Sequence, residues 1–263
     1  SAIFMNRRIF AALSVVLTTA WVAGAVPSAF AAAAAKSAPS ILVVGATGGT
    51  GKEVVRQARE AGYRVRALVR DADKARGQLG SDVELVVGDV RTGAGVDAAV
   101  RGVDYVVSAL GSNVRNDPTN TPERVDYGGV RDLVNAAASA KVKHFVLVSS
   151  MGVTHDDHPL NKMFGNILVW KRKGEEAVRA SGVPYTIVRP GGLLDTPGGK
   201  AGIRTFQGDD LKNNGRIPRA DVAAVCLKSL GNRSAAGKTF EIISGAEGGS
   251  VDWNGLFAAL KAD

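Results

Sequence analysis

A strand, a glycine-rich turn and a helix follow one another early in the chain, and this order restricts the fold more than any other feature. The segment reads ILVVGATGGTGKEVVRQA, with Gly45, Gly48 and Gly51 in the spacing G-x-x-G-x-x-G. Gly45 permits a tight turn, Gly48 lets backbone N–H groups approach a diphosphate, and Gly51 allows close helix packing. The amino end of the helix favours an anion. The spacing therefore predicts a dinucleotide-binding loop, to which Thr47 and Gly49 also contribute.

Short apolar runs alternate with helical segments from Ser40 onward. The runs read ILVVG, YRVRALVR, VELVVGD, VDYVVSALG, KHFVLVSS, VPYTIVRP and KTFEIIS. Segments with helical apolar spacing and crossover length, such as Gly51 to Ala61 and Glu123 to Ala140, separate them and favour a parallel sheet. Nearly continuous apolar strands indicate helices on both faces. We therefore predict one α/β domain over residues 40–263, with a Rossmann-like, doubly wound parallel sheet of about seven strands.

The longest irregular segments are 112–122, 151–162 and 190–215, which follow the fourth, fifth and sixth predicted strands. Because parallel strands end at one edge of the sheet, these segments are expected to cluster over a ligand site there.

The run HDDH at 155–158 raises the alternative of a metal site. Neighbouring residues in one loop seldom converge on an ion without distant ligands, so no metal is expected.

The second predicted strand ends in Arg70, where folds selective for NAD usually place an acid. A guanidinium suits the 2′-phosphate of NADP in charge and in geometry, and Lys74 is a candidate helper. Asp71, one position later, leaves NAD as the alternative cofactor. Asp89 ends the third strand, where it could contact the adenine amine or simply cap the next turn.

The first 31 residues have the pattern of an export signal: Arg7 and Arg8, an uncharged run, and a small-x-small cleavage site at 29–31. We expect a linker over 32–39 and a periplasmic or thylakoid-lumenal location. The paired arginines are compatible with a twin-arginine route. A membrane anchor retained over residues 9–26 is the alternative, although hydroxyl residues dilute that run.

The formal net charge of +8 is compatible with binding to nucleic acid. Lys and Arg are scattered along the chain, however, which favours a solvated surface and a phosphate site over a nucleic-acid partner. Cys226 lies in the apolar helical pattern DVAAVCLKSL and is interpreted as a core residue.

Beyond the glycine loop, the segments FVLVSSMG, HPLNKMFGNILVWKRKGEEAVRASGVPYTIVRPGGLLD and RIPRADVAAVCLKSL resemble atypical short-chain dehydrogenases/reductases of the NmrA-like and plastid NADP-binding type. The resemblance implies that Ser150 is the active serine and that Lys171 is the active lysine, which also holds the nicotinamide ribose. The superfamily also has a catalytic tyrosine four residues before this lysine, which exchanges a proton with the substrate oxygen. In this chain that position is Ile167. The resemblance further implies cofactor contacts from five residues at strand ends: Leu110, Gly111, Arg189, Pro190 and Gly191.

Loss of the tyrosine leaves two functional interpretations open. An oxidoreductase that reduces a quinone-, flavin- or carbonyl-type acceptor can work without it, because hydride transfer depends mainly on an oriented nicotinamide and electrostatic support of the acceptor oxygen. The alternative is a non-catalytic NADP(H)-binding module that senses redox state or supports assembly of another complex, with a protein partner.

Overall fold

A largely parallel sheet organises the computed structural model, which describes residues 38–263. The strands are β1 (Ser40–Val44), β2 (Arg64–Val69), β3 (Glu84–Val87), β4 (Tyr105–Ser108), β5 (His144–Val148), β6 (Tyr185–Pro190), β7 (Gly192–Leu194), β8 (Ala201–Phe206), β9 (Arg216–Pro218) and β10 (Lys238–Glu247). The main sheet has eight strands in the order β3-β2-β1-β4-β5-β6-β10-β8, and β7 pairs with β9 separately. Only β8 runs antiparallel to its neighbour in the main sheet.

Helices cover both faces of the sheet. They are α1 (Gly49–Glu60), α2 (Ala72–Leu79), α3 (Val96–Val100), a π-helical segment (Glu123–Gly129) continuing into α4 (Val130–Ser139), α5 (Pro159–Met163), α6 (Ile167–Ala180), α7 (Arg219–Ser229) and α8 (Trp253–Ala258). Residues of α1, α2, α7 and α8 pack into one core, and residues of α3, α4 and α6 into the other. The predicted doubly wound α/β fold is confirmed.

All seven predicted strands are present, but the interpretation of 190–215 as irregular is wrong. This segment contains β7 and the edge strand β8. β8 is only partly buried and pairs antiparallel with β10, whose partner residues lie far along the chain. Its sequence, AGIRTF, has no continuous apolar run, so local pattern does not reveal it. Segment 112–122 lacks regular structure until its end, and 151–162 reaches only the short helix α5.

Within residues 38–263, every helix is too short or too polar to cross a bilayer. The predicted export signal, the alternative anchor over 9–26 and most of the linker lie outside the described residues. Those assignments and the domain boundary at residue 40 stay predictions.

Arg189 joins three elements through a buried ionic cluster. From β6, its Nε and Nη2 donate to Glu175 of α6 at 2.9 and 2.6 Å, and its Nη1 donates to Glu241 of β10 at 3.0 Å. All three side chains are nearly inaccessible to solvent. Burial lowers the pKa of Arg189, but its bonds to Glu175 outweigh that effect, so the pKa lies above its ordinary value. The side chain is thus committed to the fold, and this placement does not support the predicted cofactor contact.

Cys226 is fully buried in α7, where burial raises the pKa of its thiol to about 12. Since the thiolate is the reactive form, this cysteine is unreactive at neutral pH. The interpretation as a core residue is confirmed.

Arg189→Ala should lower the free energy of unfolding by about 3–5 kcal/mol, because it leaves two buried carboxylates without their cation. Urea denaturation followed by circular dichroism measures this. The matched control, Arg233→Ala, removes an exposed arginine and should change stability by less than about 0.5 kcal/mol. Equal effects of the two substitutions would show that the cluster does not stabilise the fold.

Candidate functional site

A cleft of about 300 Å³ opens at the carboxyl ends of β1, β2, β3 and β4. It lies where the strand order reverses between β1 and β4, the usual ligand position in such sheets. Seven of the residues predicted from sequence line it: Gly45, Thr47, Gly48, Arg70, Asp89, Leu110 and Gly111. Residues from distant parts of the sequence therefore meet at one site.

The glycine loop forms a tight turn that presents the amino end of α1 to the cleft. The Gly48 N–H donates to the Gly45 carbonyl at 3.0 Å, and α1 begins at Gly49. Gly51 lies so close to the Gly45 carbonyl that a Cβ at this position would overlap it. The first turn of α1 has no acidic residue and no side-chain cap, so its N–H groups suit an anion. The loop fits the diphosphate of a dinucleotide.

Arg219, which the sequence reasoning missed, lies against this loop. Its Nε donates to Asp195 at 2.8 Å, and a Cβ built on Gly49 would lie 2.6 Å from the same Nε. The guanidinium at the start of α7 therefore lies against the amino end of α1. Only tertiary folding brings residue 219 to residue 49, so no local sequence signal marks it.

Two arginines and two aspartates form a charged group beside the cleft. Arg91 binds Asp89 through Nε and Nη2, with the shortest contact at 2.6 Å. Its Nη1 donates to Asp117 at 2.7 Å, and Arg70 Nη1 lies 3.4 Å from the same Asp117 oxygen. The hydrogen bond from Arg91 lowers the pKa of Asp89. Arg91, unnoticed in the sequence, is thus a second cation beside Arg70.

Asp89 has the role that the sequence analysis gave as its alternative. Its carboxylate accepts from the backbone N–H of Arg91 at 2.9 Å, which closes the turn after β3. Its side chain still lines the cleft, so the predicted contact with an adenine stays a prediction.

Lys171 is held in the interior by a buried carboxylate. Its Nζ lies 2.8 Å from Asp126 Oδ1, and the two side chains are 13% and 0% exposed. The same nitrogen lies 3.4 Å from the carbonyl oxygen of Leu110, a residue of the cleft lining. Lys171 is therefore an interior residue next to the cleft rather than a charge on the exposed face of α6.

The π-helical segment explains how Asp126 reaches Lys171. α6 crosses this segment at Gly174, where a Cβ would overlap the Asp126 carbonyl. Asp126 Oδ2 also accepts from the Ser112 N–H at 3.2 Å, which ties segment 112–122 to the pair. Single π-helical turns inside helices often occur at functional sites. Asp126 was missed because a π-turn changes which residues face inward.

Ser149, rather than Ser150, lies with Lys171 and Asp126 around a gap too small to hold a water molecule. The Ser149 hydroxyl is buried, and no hydrogen-bond partner for it is found within residues 38–263. Ser150 Oγ instead donates to the Met151 carbonyl at 2.9 Å. The catalytic role of Ser150 stays a prediction, and Ser149 is a second candidate.

Pro190 and Gly191 do not line the cleft. The Pro190 carbonyl accepts from Met151 N–H at 3.1 Å, and the Gly191 N–H donates to Ile242 at 3.0 Å. These bonds connect β6 to its neighbours. Contacts of Pro190 and Gly191 with a cofactor stay predictions.

The histidines of the run HDDH have structural contacts. His155 Nε2 lies 2.7 Å from the Asp209 carbonyl, and His158 accepts from the Leu160 N–H at the start of α5. No cluster of three or more potential metal ligands occurs in the part of the chain that the structure describes.

Comparison with known proteins identifies relatives that align with most of this chain. A family model described as NAD(P)H-binding matches residues 45–233. A chloroplastic protein of Arabidopsis thaliana with no assigned function is 38% identical, covering 87% of this chain and 78% of its own. Sanguinarine reductase of Eschscholzia californica is 33% identical, and the alignment covers 84% of this chain and 96% of that protein. A photosystem II assembly factor, Ycf39 of Trieres chinensis, is 30% identical, and the alignment covers 80% of this chain and 65% of that protein.

A solved structure has the same architecture. A Bacillus halodurans protein described as an NAD-dependent epimerase/dehydratase superposes with a TM-score of 0.71 at 26% identity. The alignment covers 84% of this chain and all of the other.

Gly174→Ala should destabilise the protein by about 1–3 kcal/mol, because the added methyl group forces α6 away from the π-helical segment. The control is Gly77→Ala in α2, where a Cβ would meet nothing within 4 Å. That substitution should stabilise by about 0.5–1 kcal/mol through helix propensity. Thermal unfolding compares the two. A stabilising effect of Gly174→Ala would disprove the close contact on which the Lys171–Asp126 pair depends.

Proposed function

The chain belongs to the NAD(P)H-binding family of atypical short-chain dehydrogenases/reductases, and from this membership we propose that it is an NADPH-dependent oxidoreductase acting on a quinone-, flavin- or carbonyl-type acceptor. The observation that carries the proposal is the position of Lys171. Its ammonium lies beside Leu110 at the edge of the cleft, where a nicotinamide ribose would follow from a diphosphate on the glycine loop. A relative that is named a reductase supports the same activity.

NADPH is proposed over NADH because of the charge at the outer end of the cleft. Arg70 lines the cleft and is 55% exposed, so it is accessible to a ligand. Arg91 lies beside it through the shared contact with Asp117. Two guanidinium groups suit a phosphate dianion better than a ribose hydroxyl.

Lys171 and one of the two serines, Ser149 or Ser150, are the groups that would act on the reacting end of the ligands. When bound, the reduced nicotinamide supplies a hydride. Lys171 bonds to Asp126 and lies near the Leu110 carbonyl, and an ammonium has a third donor available for a ribose hydroxyl. The hydroxyl of Ser149 or Ser150 can support the acceptor oxygen. Ile167 has no proton to give, so the proton comes from solvent or through a serine.

A second candidate function is a non-catalytic NADP(H)-binding module that acts through a protein partner. Two points favour it: the resemblance puts Ile167 at the position of the usual tyrosine, and one relative is named an assembly factor. Both functions require the same cofactor site, so they differ only in turnover.

The location outside the cytoplasm also remains a proposal. It rests on the signal pattern of residues 1–31 and is compatible with a chloroplastic relative, which favours plastid targeting.

Steady-state oxidation of NADPH against a panel of quinones, flavins and carbonyl compounds tests the activity. Turnover of at least one acceptor class supports the oxidoreductase. Tight NADPH binding without turnover of any of them supports the binding module instead.

Arg70→Asp should weaken NADPH binding by about 2 kcal/mol or more, because it removes a charge-assisted contact and adds repulsion. NADH binding should change little. Titration calorimetry with both cofactors on both proteins measures this. Wild-type protein that binds the two cofactors equally would contradict the assignment to NADPH.

Replacing Lys171 should weaken NADPH binding by roughly 1–3 kcal/mol, the scale of a hydrogen bond to a charged group. Since Lys171→Ala alone would leave Asp126 buried and unpaired, the decisive variant is Lys171→Met with Asp126→Asn, which removes both charges together. Ile167→Tyr is the companion variant. It should retain affinity and place a phenol one helical turn before the lysine, which favours carbonyl reduction. Unchanged affinity of a folded double variant would show that Lys171 does not bind the cofactor.

A further inference from the structure

We propose that the carboxylate of Asp117 competes with the 2′-phosphate of NADPH for Arg91 and Arg70, so that segment 112–122 controls cofactor affinity and selectivity. The inference rests on the proposed function, since it assumes that NADPH binds in the cleft. The new element is Asp117, a residue outside the cleft lining whose carboxylate competes with the phosphate for the two arginines.

Asp117 takes the place of an anion between the two arginines. One carboxylate oxygen, Oδ2, lies 2.7 Å from Arg91 Nη1 and 3.4 Å from Arg70 Nη1. Both arginines line the cleft, whereas Asp117 approaches them from segment 112–122. A single oxygen shared by two guanidinium groups is the arrangement that a phosphate oxygen would adopt there.

The two arginines are held differently, which decides what a ligand can displace. Asp89 binds Arg91 on Nε and Nη2, so Arg91 keeps its position when Asp117 leaves. Arg70 has a longer contact with Asp117 and is 55% exposed. A 2′-phosphate, with about two negative charges against one on a carboxylate, can therefore replace Asp117 at a preformed Arg91 and attract Arg70.

Thr119 holds the competing carboxylate in place. Its N–H and hydroxyl donate to Asp117 Oδ1 at 3.0 and 2.7 Å, and its hydroxyl oxygen also accepts from Arg91 at 2.7 Å. The bonds from Thr119 lower the pKa of Asp117. To release Asp117, NADPH must therefore displace the hydrogen bonds from Thr119 as well as the ion pairs.

NADH lacks the 2′-phosphate and does not compete for the arginines. Asp117 can then stay in its contacts, at no cost to NADH binding. The carboxylate therefore reduces the advantage that Arg70 and Arg91 give to NADPH, and its removal should increase selectivity.

The test compares wild type with Asp117→Asn by fluorescence titration with NADPH and NADH. The variant should bind NADPH about two- to fivefold more tightly, the scale of removing a partly exposed ion pair. NADH affinity should stay within about twofold, an allowance for the general effect of one surface charge. Adenosine 2′,5′-bisphosphate and 5′-AMP, used as probes, should reproduce the difference without the nicotinamide.

Two further variants separate this effect from a general one. Asp157→Asn removes the same charge from an exposed position in segment 151–162 and should change neither affinity. Thr119→Val keeps the Asp117 charge but removes a bond that holds it, so it should shift NADPH affinity in the same direction by a smaller factor.

The outcomes distinguish this inference from the proposed function. If wild type binds NADPH but Asp117→Asn binds it equally or less well, the competition is disproved and the proposed function stands. A loss of NADH affinity in Asp117→Asn would overturn the inference too, since Asp117 would then bind a ribose hydroxyl. If wild type binds neither cofactor, both fail.

Discussion

Strand β1 is buried along its whole length, and its alternating residues contribute to two different hydrophobic cores. Ile41 and Val43 pack on the side of α1 and α7, whereas Leu42 and Val44 pack on the side of α4. The strand is paired on both edges, by β2 and β4. Its carboxyl end is therefore fixed in all directions, and the glycine loop that follows starts from a rigid point. The position of the amino end of α1, and with it the cleft, depends on this placement.

The sequence was informative where the structural cause is local. Continuous apolar runs mark the strands that are covered on both faces, and the glycine spacing marks a turn built from neighbouring residues. Strand β8 was not predicted because its stability comes from pairing with β10, which the pattern AGIRTF does not indicate. Four residues of the site were not predicted for a related reason, since each depends on a partner distant in sequence or on an irregular backbone. They are Arg91, Asp117, Asp126 and Arg219. The pair Ser149 and Ser150 shows a further limit, since one step along an extended chain reverses the direction of the side chain.

The cofactor site and the reacting site differ in how much of the usual machinery remains. The glycine loop, the arginines and Lys171 give a site with charge complementary to a dinucleotide phosphate at several points. The resemblance, by contrast, puts Ile167 at the position of the superfamily's tyrosine, and an alkyl group cannot exchange a proton. Under the proposed function, such a site would orient a nicotinamide without a tyrosine acid at the acceptor. Both candidate functions follow from that combination, because oriented binding is the part that each one needs.

The buried cluster of Arg189, Glu175 and Glu241 has a consequence for behaviour on heating. Removing charged groups from water is costly, but this cost falls as temperature rises, because the hydration of charged groups becomes less favourable. The ionic cluster joins α6, β6 and β10, so the half of the sheet beyond β5 rests partly on it. Its contribution to the junction of α6, β6 and β10 should therefore grow, relative to that of the apolar packing, as the temperature rises.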